Sequence, residues 1–271
     1  MELKLDNISI EGVSRSTIET YFNIKELKLC FDIGKCPFHI TPVPNIFLSH
    51  MHGDHAYGVY YYISHRNLAK MENGRIYLPE EALKETESVI KSYSNLEHAS
   101  RNYELIPLTN DEEFEYGRDY LIKTFETDHR IPSLGYLVSQ KKTKLKQEFL
   151  NKPQSEIIEL KRKGIEITNT IYEPFITYLG DSTIKPVDEF DFIKKSKILI
   201  MECTFLIPEH FDQAEERKHI HIKNIIDRAS EFENKYIILT HFSMRYTDNF
   251  IREYIRNILP ENLREKVFIF F

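Results

Sequence analysis

Ile46-Phe47-Leu48-Ser49-His50-Met51-His52-Gly53-Asp54-His55 decides how this chain is read. Three apolar residues run directly into an HxHxDH pattern. The apolar triplet reads as a short buried strand, and the residues after it as the loop at the strand's end. Three imidazoles and a carboxylate crowded into six positions are hard to justify sterically or electrostatically without a cation. Imidazole nitrogen and carboxylate oxygen are common ligands of zinc and similar divalent metals. The stretch therefore predicts a metal site delivered by a strand end.

The same arrangement recurs along the chain. Phe125-Glu126-Thr127-Asp128-His129, Tyr178-Leu179-Gly180-Asp181 and Ile237-Ile238-Leu239-Thr240-His241 each follow an apolar run with one potential ligand. Taken singly, each has a structural explanation: a core histidine, or an aspartate turn after glycine. Together, and in this order after HxHxDH, they predict one shared centre, because rigid sheets aim loop residues beyond strand ends. Strands are predicted at 27–33, 45–48, 75–78, 120–125, 135–139, 175–179, 197–201, 236–239 and 267–271. Helices are predicted at 80–93, 154–163, 222–232 and 249–258. Interleaved strands and helices over the whole length predict one α/β domain, residues 1–271, with covered sheets. Residues 141–169, polar and lysine-rich between two strands, are read as an excursion from it.

The 271 residues are 41% hydrophobic, enough for a sizeable core, and carry a net charge of −6, so the molecule as a whole is no polycation. No apolar stretch approaches the roughly 20 residues needed to span a bilayer, and no membrane partner is expected. The opening residues MELKLDNISIEGV lack the basic region and apolar run of an export signal. Cys30, Cys36 and Cys203 form no CxxC pair, which favours reduced thiols and a cytoplasmic location.

HxHxDH, a lone histidine, Gly-Asp and a final histidine in that order resemble the metallo-β-lactamase superfamily. FDIGKCP (31–37), HRIPSLGYLV (129–138), YLGDS (178–182), ECTF (202–205) and LTHFSMRY (239–246) narrow the resemblance to ribonuclease Z, the tRNA 3′-end-processing endonuclease. TKLKQEF (143–149) and GIEIT (164–168) are similar to its short forms. The resemblance implies an αββα sandwich of two face-to-face mixed sheets with helices outside. It implies two divalent metal ions, zinc by ligand type: one on His50, His52 and His129, one on Asp54, His55 and His241, with Asp181 bridging. The family's catalytic histidine falls in Lys218-His219-Ile220-His221, where the alignment favours His219 and leaves His221 open. Two departures stand out. Leu199 occupies a position that is often acidic in the family, and 141–169 lacks the glycine-proline-rich arm of many bacterial members.

The implied activity is hydrolytic removal of the 3′ trailer from precursor tRNA, with a homodimer as the common family state. Asp54 would orient or deprotonate the attacking water. His219 would protonate the leaving oxygen, a contribution of roughly 10²–10⁴-fold, and Glu202 would either fix its tautomer or be purely structural. Between 141 and 163 eight basic residues face three acids, a local charge of +5 against −6 overall. Lys161, Arg162 and Lys163 are therefore expected to touch RNA phosphates. Two rivals remain open. A small-molecule phosphodiesterase of the same fold would keep every ligand but need no basic patch, and a non-catalytic RNA-binding relative would not need the ligands.

Overall fold

The computed structural model describes residues 1–271. Two seven-stranded sheets hold all the strands, and in each the spatial order follows the chain. The first contains β1 (Glu2–Leu5), β2 (Ile8–Arg15), β3 (Glu19–Ile24), β4 (Leu29–Phe31), β5 (Asn45–Phe47), β6 (Arg75–Pro79) and β7 (Glu104–Leu108). The second contains β8 (Glu113–Tyr116), β9 (Tyr120–Glu126), β10 (Leu134–Leu145), β11 (Thr168–Tyr178), β12 (Ile198–Glu202), β13 (Tyr236–Thr240) and β14 (Val267–Ile269). Both sheets have the same pattern: the first three pairings are antiparallel and the last three parallel.

Helices α1 (Gly53–Ala56), α2 (Val59–Leu68) and α3 (Leu83–Leu96) accompany the first sheet, and α4 (Gln154–Arg162) lies between β10 and β11. The second sheet is accompanied by α5 (Lys185–Glu189), α6 (Asp191–Lys195), α7 (Phe211–Arg217), α8 (Ile222–Asp227), α9 (Asp248–Ile258) and α10 (Glu261–Arg264). Side-chain alternation along the strands builds the layers. In β12, Ile198 and Ile200 join Phe22, Phe31, Phe47, Tyr136 and Tyr178 between the sheets. Leu199 and Met201 point the other way, toward Ile222 and Ile225 of α8 and Ile251 and Ile255 of α9. On the far side, Ile46 and Leu48 pack against Val59, Tyr62 and Ile63 of α2. The result is an αββα sandwich with one core between the sheets and one under each helical layer. Leu199 thus fills an apolar position, which accounts for the missing acid there. Phe47 stacks on Tyr77 with ring centroids 4.2 Å apart, and burying such a side chain contributes about 1.5–3 kcal/mol.

The structure moves several predicted boundaries. Strands β1–β3, β7 and β8 and helices α1, α2, α5, α6, α7 and α10 lie outside the expected elements, and the helix expected over 222–232 stops at Asp227. The segment 141–169 is only partly irregular. Lys141–Leu145 continues β10 and pairs with Thr168–Tyr172 of β11, so the ladder itself runs outward before α4.

Candidate metal centre and cleft

Five strand ends meet at one edge of the sandwich. The loop after β5 carries His50, His52, Asp54 and His55, while β9 leads to His129, β11 to Asp181, β12 ends in Glu202 and β13 leads to His241. Gly180, just before Asp181, has φ +65°, and a Cβ there would lie 2.8 Å from Ser49 Cβ. Only glycine lets the Asp181 loop lie against the residue preceding His50. His241 adopts φ +59°, a conformation that a non-glycine residue holds only when its surroundings enforce it. Its amide donates to Ser14 Oγ at 3.1 Å.

All seven predicted ligand residues come together. His50 Nε2 and His129 Nε2 lie 3.0 and 3.2 Å from His52 Nδ1, and Asp181 Oδ2 is 3.9 Å from His50 Nε2. Beside them, His55 Nε2 and His241 Nε2 are 3.4 Å apart. Asp54 Oδ2 is 3.4 Å from His241 Nε2. Asp181 reaches this second group as well, with Oδ1 3.5 Å from His55 Nε2 and Oδ2 3.4 Å from His241 Nε2.

The opposite ring nitrogens reveal the protonation pattern. Ser49 Oγ donates to Asp32 at 2.8 Å, so it accepts from His50 Nδ1–H at 3.0 Å. His55 Nδ1–H donates to Asp32 Oδ2 at 2.7 Å, and His129 Nδ1–H to the Lys218 carbonyl at 3.3 Å. Thr204 Oγ1 donates to Glu202 at 2.5 Å and accepts from His241 Nδ1–H at 3.0 Å. Four histidines therefore donate through Nδ1 and point Nε2 inward, the nitrogen that a metal would take in place of a proton. This is the state that binds a metal, fixed by partners of the kind that orient metal ligands. Burial holds His50, His52 and His129 neutral by pushing their pKa values down, His50 most strongly. Burial also opposes charge on His55, but Asp181, Asp32 and Asp54 outweigh it and push His55 up to about 10. The carboxylates thus demand positive charge where His55, His241 and Asp54 meet. Burial works against the Asp54 and Asp181 anions too, yet the surrounding histidines hold both carboxyls below the usual range. Converging lone pairs and ionised carboxylates in a buried site are what a divalent cation fits.

His219 stands beside this cluster, its ring 5.3 Å from His129 and 5.5 Å from His241. Its Nδ1–H donates to Glu202 Oε1 at 2.7 Å, which leaves Nε2 free in the cleft. Burial resists its charge, but Glu202 and Asp181 prevail and raise it to about 9. Glu202 does more than hold His219. It is buried and also accepts from the amides of Ser182 (2.9 Å), Ile220 (3.2 Å) and Thr204 (3.3 Å). His221 has no nitrogen to spare. Its Nδ1 accepts from Lys223 N at 3.1 Å as the cap of α8, and its Nε2–H donates to the Ile207 carbonyl at 2.9 Å.

The cleft measures about 520 Å³, with Ser16, Thr17, Lys35, Asp54, Tyr57 and His219 in its walls. Thr17 N donates to Asp54 Oδ2 at 2.7 Å. Lys161, Arg162 and Lys163 are not part of it; they are exposed at the end of α4. Lys163 is tied to Glu159 at 2.5 Å, and Lys144 and Lys146 pair with Glu173 and Glu166. Sequence reasoning did not single out Asp32 or Thr204. Asp32 is fully buried and also accepts from Ser49 N and the Tyr178 hydroxyl. Its signals were its place in the FDIGKCP block and directly after the apolar run Leu29-Cys30-Phe31.

Known proteins share this architecture. A family model described as "Beta-lactamase superfamily domain" matches residues 35–242. tRNase Z TRZ1 of Arabidopsis thaliana is 37% identical over 269 residues, covering 98% of this chain and 96% of that protein. The ribonuclease Z of Chlamydia muridarum is 30% identical, covering 79% of this chain and 75% of its own length. Among solved structures, the metallo-β-lactamase fold protein YhfI of Bacillus subtilis superposes with a TM-score of 0.64 at 15% identity, over 97% of both chains. The short form of human tRNase Z superposes with 0.55 at 20% identity, over 89% of this chain and 86% of its own.

Proposed function

Because the chain belongs to the ribonuclease Z family of the β-lactamase superfamily, we infer that it is the endoribonuclease that cuts the 3′ trailer from precursor tRNA. The observation that carries this reading is identity at 37% extending over 98% of the chain. It is a metal-dependent hydrolase of phosphodiester bonds. We propose two ions, zinc by the preference of His and carboxylate donors. His50, His52 and His129 would hold one, Asp54, His55 and His241 the other, with Asp181 shared. When bound, such a pair acidifies water and neutralises phosphoryl oxygens.

The chain's own residues supply the rest. Asp54, anchored by the Thr17 amide, is the carboxylate that orients the attacking water and takes its proton. Ser49 and Asp32 keep His50 and His55 from rotating. His219, held through Nδ1 by Glu202, presents Nε2–H to the 3′ oxygen that leaves with the mature tRNA. His221 cannot serve, because both its nitrogens are engaged within the protein. The expected products are tRNA with a 3′ hydroxyl and a trailer with a 5′ phosphate.

Lys161, Arg162 and Lys163 on the outlying β10–β11 extension are proposed to hold RNA backbone. No helix is long and apolar enough to cross a membrane; a cytoplasmic location is proposed from three free, buried cysteines, and a homodimer from the family resemblance. The test is a product map of a defined precursor tRNA beside turnover of a small phosphodiester. A preference for the small substrate, with the precursor left intact, would overturn the ribonuclease reading. Elemental analysis of the purified protein identifies the metal.

A further inference from the structure

Lys35 and Tyr57 line two hollows at once. One is the cleft at the candidate metal centre. The other is a groove of about 270 Å³ between α2 and α3, into which Tyr60, Tyr61 and Tyr93 also turn. Tyr57 is 69% exposed and Tyr61 46%, large aromatic area left open to solvent although Tyr61 stacks on His65 with centroids 5.7 Å apart. Tyr60 and Tyr93 stack with centroids 6.1 Å apart and form one wall. The groove's acid, Glu97, is neutralised by Arg101 at 2.6 Å. Lys35 is exposed and enters no salt bridge, so it is the groove's free charge. The junction is rigidly built. Gly58 N donates to the Gly34 carbonyl at 2.7 Å, and a Cβ on Gly58 would lie 2.4 Å from Cys36 N.

A cation at the mouth and several aromatic faces behind it make a platform for an unpaired nucleotide: the ammonium meets phosphate, and the rings meet the base. We propose that this tyrosine groove takes a base of the single-stranded trailer, with Lys35 on the adjoining phosphate. The inference rests on the ribonuclease reading above. The direction follows from the chemistry. His219 stands with His129, His241 and Phe205 and receives the oxygen of the mature RNA. The trailer keeps the phosphate and extends along another wall, where Asp54, Lys35 and Tyr57 lie.

The test compares two precursor tRNAs as substrates of the metal-loaded protein, one with an ordinary trailer and one with an abasic trailer. Loss of one stacked base is worth about five- to hundredfold. Tyr61→Ala is expected to raise KM by that order for the ordinary trailer and to leave KM for the abasic trailer alone. Tyr61→Phe, which keeps the ring, should behave as the parent protein. Equal effects on both trailers, or none, would overturn the proposal, as would a change of sedimentation coefficient in Tyr61→Ala, which would mean that a second copy occupies the groove. If the parent protein cuts the precursor and ignores the trailer bases, only this inference fails. If it cuts no precursor, the ribonuclease reading fails with it.

Discussion

At the scale of single residues, the centre depends on which atoms face inward. Asp181 is a carboxylate whose oxygens come within 3.9 Å of histidines in both groups, since a carboxylate has two oxygens to share and an imidazole presents one lone pair. Asp181→Ala is expected to lose metal and activity together; elemental analysis showing both ions retained in an active variant would refute the bridging role. His219→Ala should keep its metals and lose about two to four orders of magnitude in kcat, as for a missing general acid. His221→Ala should keep its kcat and lose stability by roughly 1 kcal/mol, the usual cost of a helix cap; denaturant melts beside kinetics separate the two. Asp32→Asn should weaken metal binding about 10–100-fold, read by chelator competition, because an amide cannot accept from Ser49, His55 and Tyr178 together. The clustered candidate residues were legible in the sequence because potential metal donors are few and their grouping is conspicuous. The choice between His219 and His221 was not, since spacing says nothing about where a ring's second nitrogen goes. Asp32 stood in the quoted FDIGKCP block, but its role as a partner of ligands was hidden, because a motif does not say which ring nitrogen its carboxylate will meet.

At the scale of elements, legibility follows burial. The parallel strands β5, β12 and β13 are covered on both faces and read as continuous apolar runs, so they stood out. Strand β2 alternates buried and half-buried positions, but its inward residues after Ile10 are Gly12 and Ser14, and the apolar signal fades. Helix α2 escaped because its run Val59–Ile63 is apolar and aromatic on nearly every side, which leaves little periodicity to detect. The outward extension of β10 and β11 was masked by its lysines. Its proposed RNA contact is not spread evenly along it. Lys163 is already paired with Glu159, whereas Lys161 and Arg162 are exposed and enter no salt bridge. Replacing Lys161, Arg162 and Lys163 by Ala should raise KM for precursor tRNA and flatten its dependence on salt, because fewer counterions are released. Most of the change should come from the first two. An unchanged salt slope would make the stretch a solvated face.

At the scale of the whole molecule, no repeat is visible in the sequence, yet the two sheets share one pattern of pairing. The metal cluster lies across their junction, with His50, His52, Asp54 and His55 from the first sheet and His129, Asp181 and His241 from the second. Bound ions should therefore clamp the sheets together. At a hundredfold excess over Kd, one site adds about 2.7 kcal/mol, so chelation is expected to lower Tm by roughly 5–10 °C for a chain of this size; a melt that ignores the chelator would mean that no such clamp exists. Because each sheet is laid down strand after strand in chain order, the arrangement also runs as a clock during synthesis. The first sheet is finished by Leu108, when only two ligands for each proposed ion have been made. The set is complete only after β13 has delivered His241. The growing chain would therefore remain a harmless passenger beside the ribosome's own RNA, and become a nuclease only when its making is nearly over.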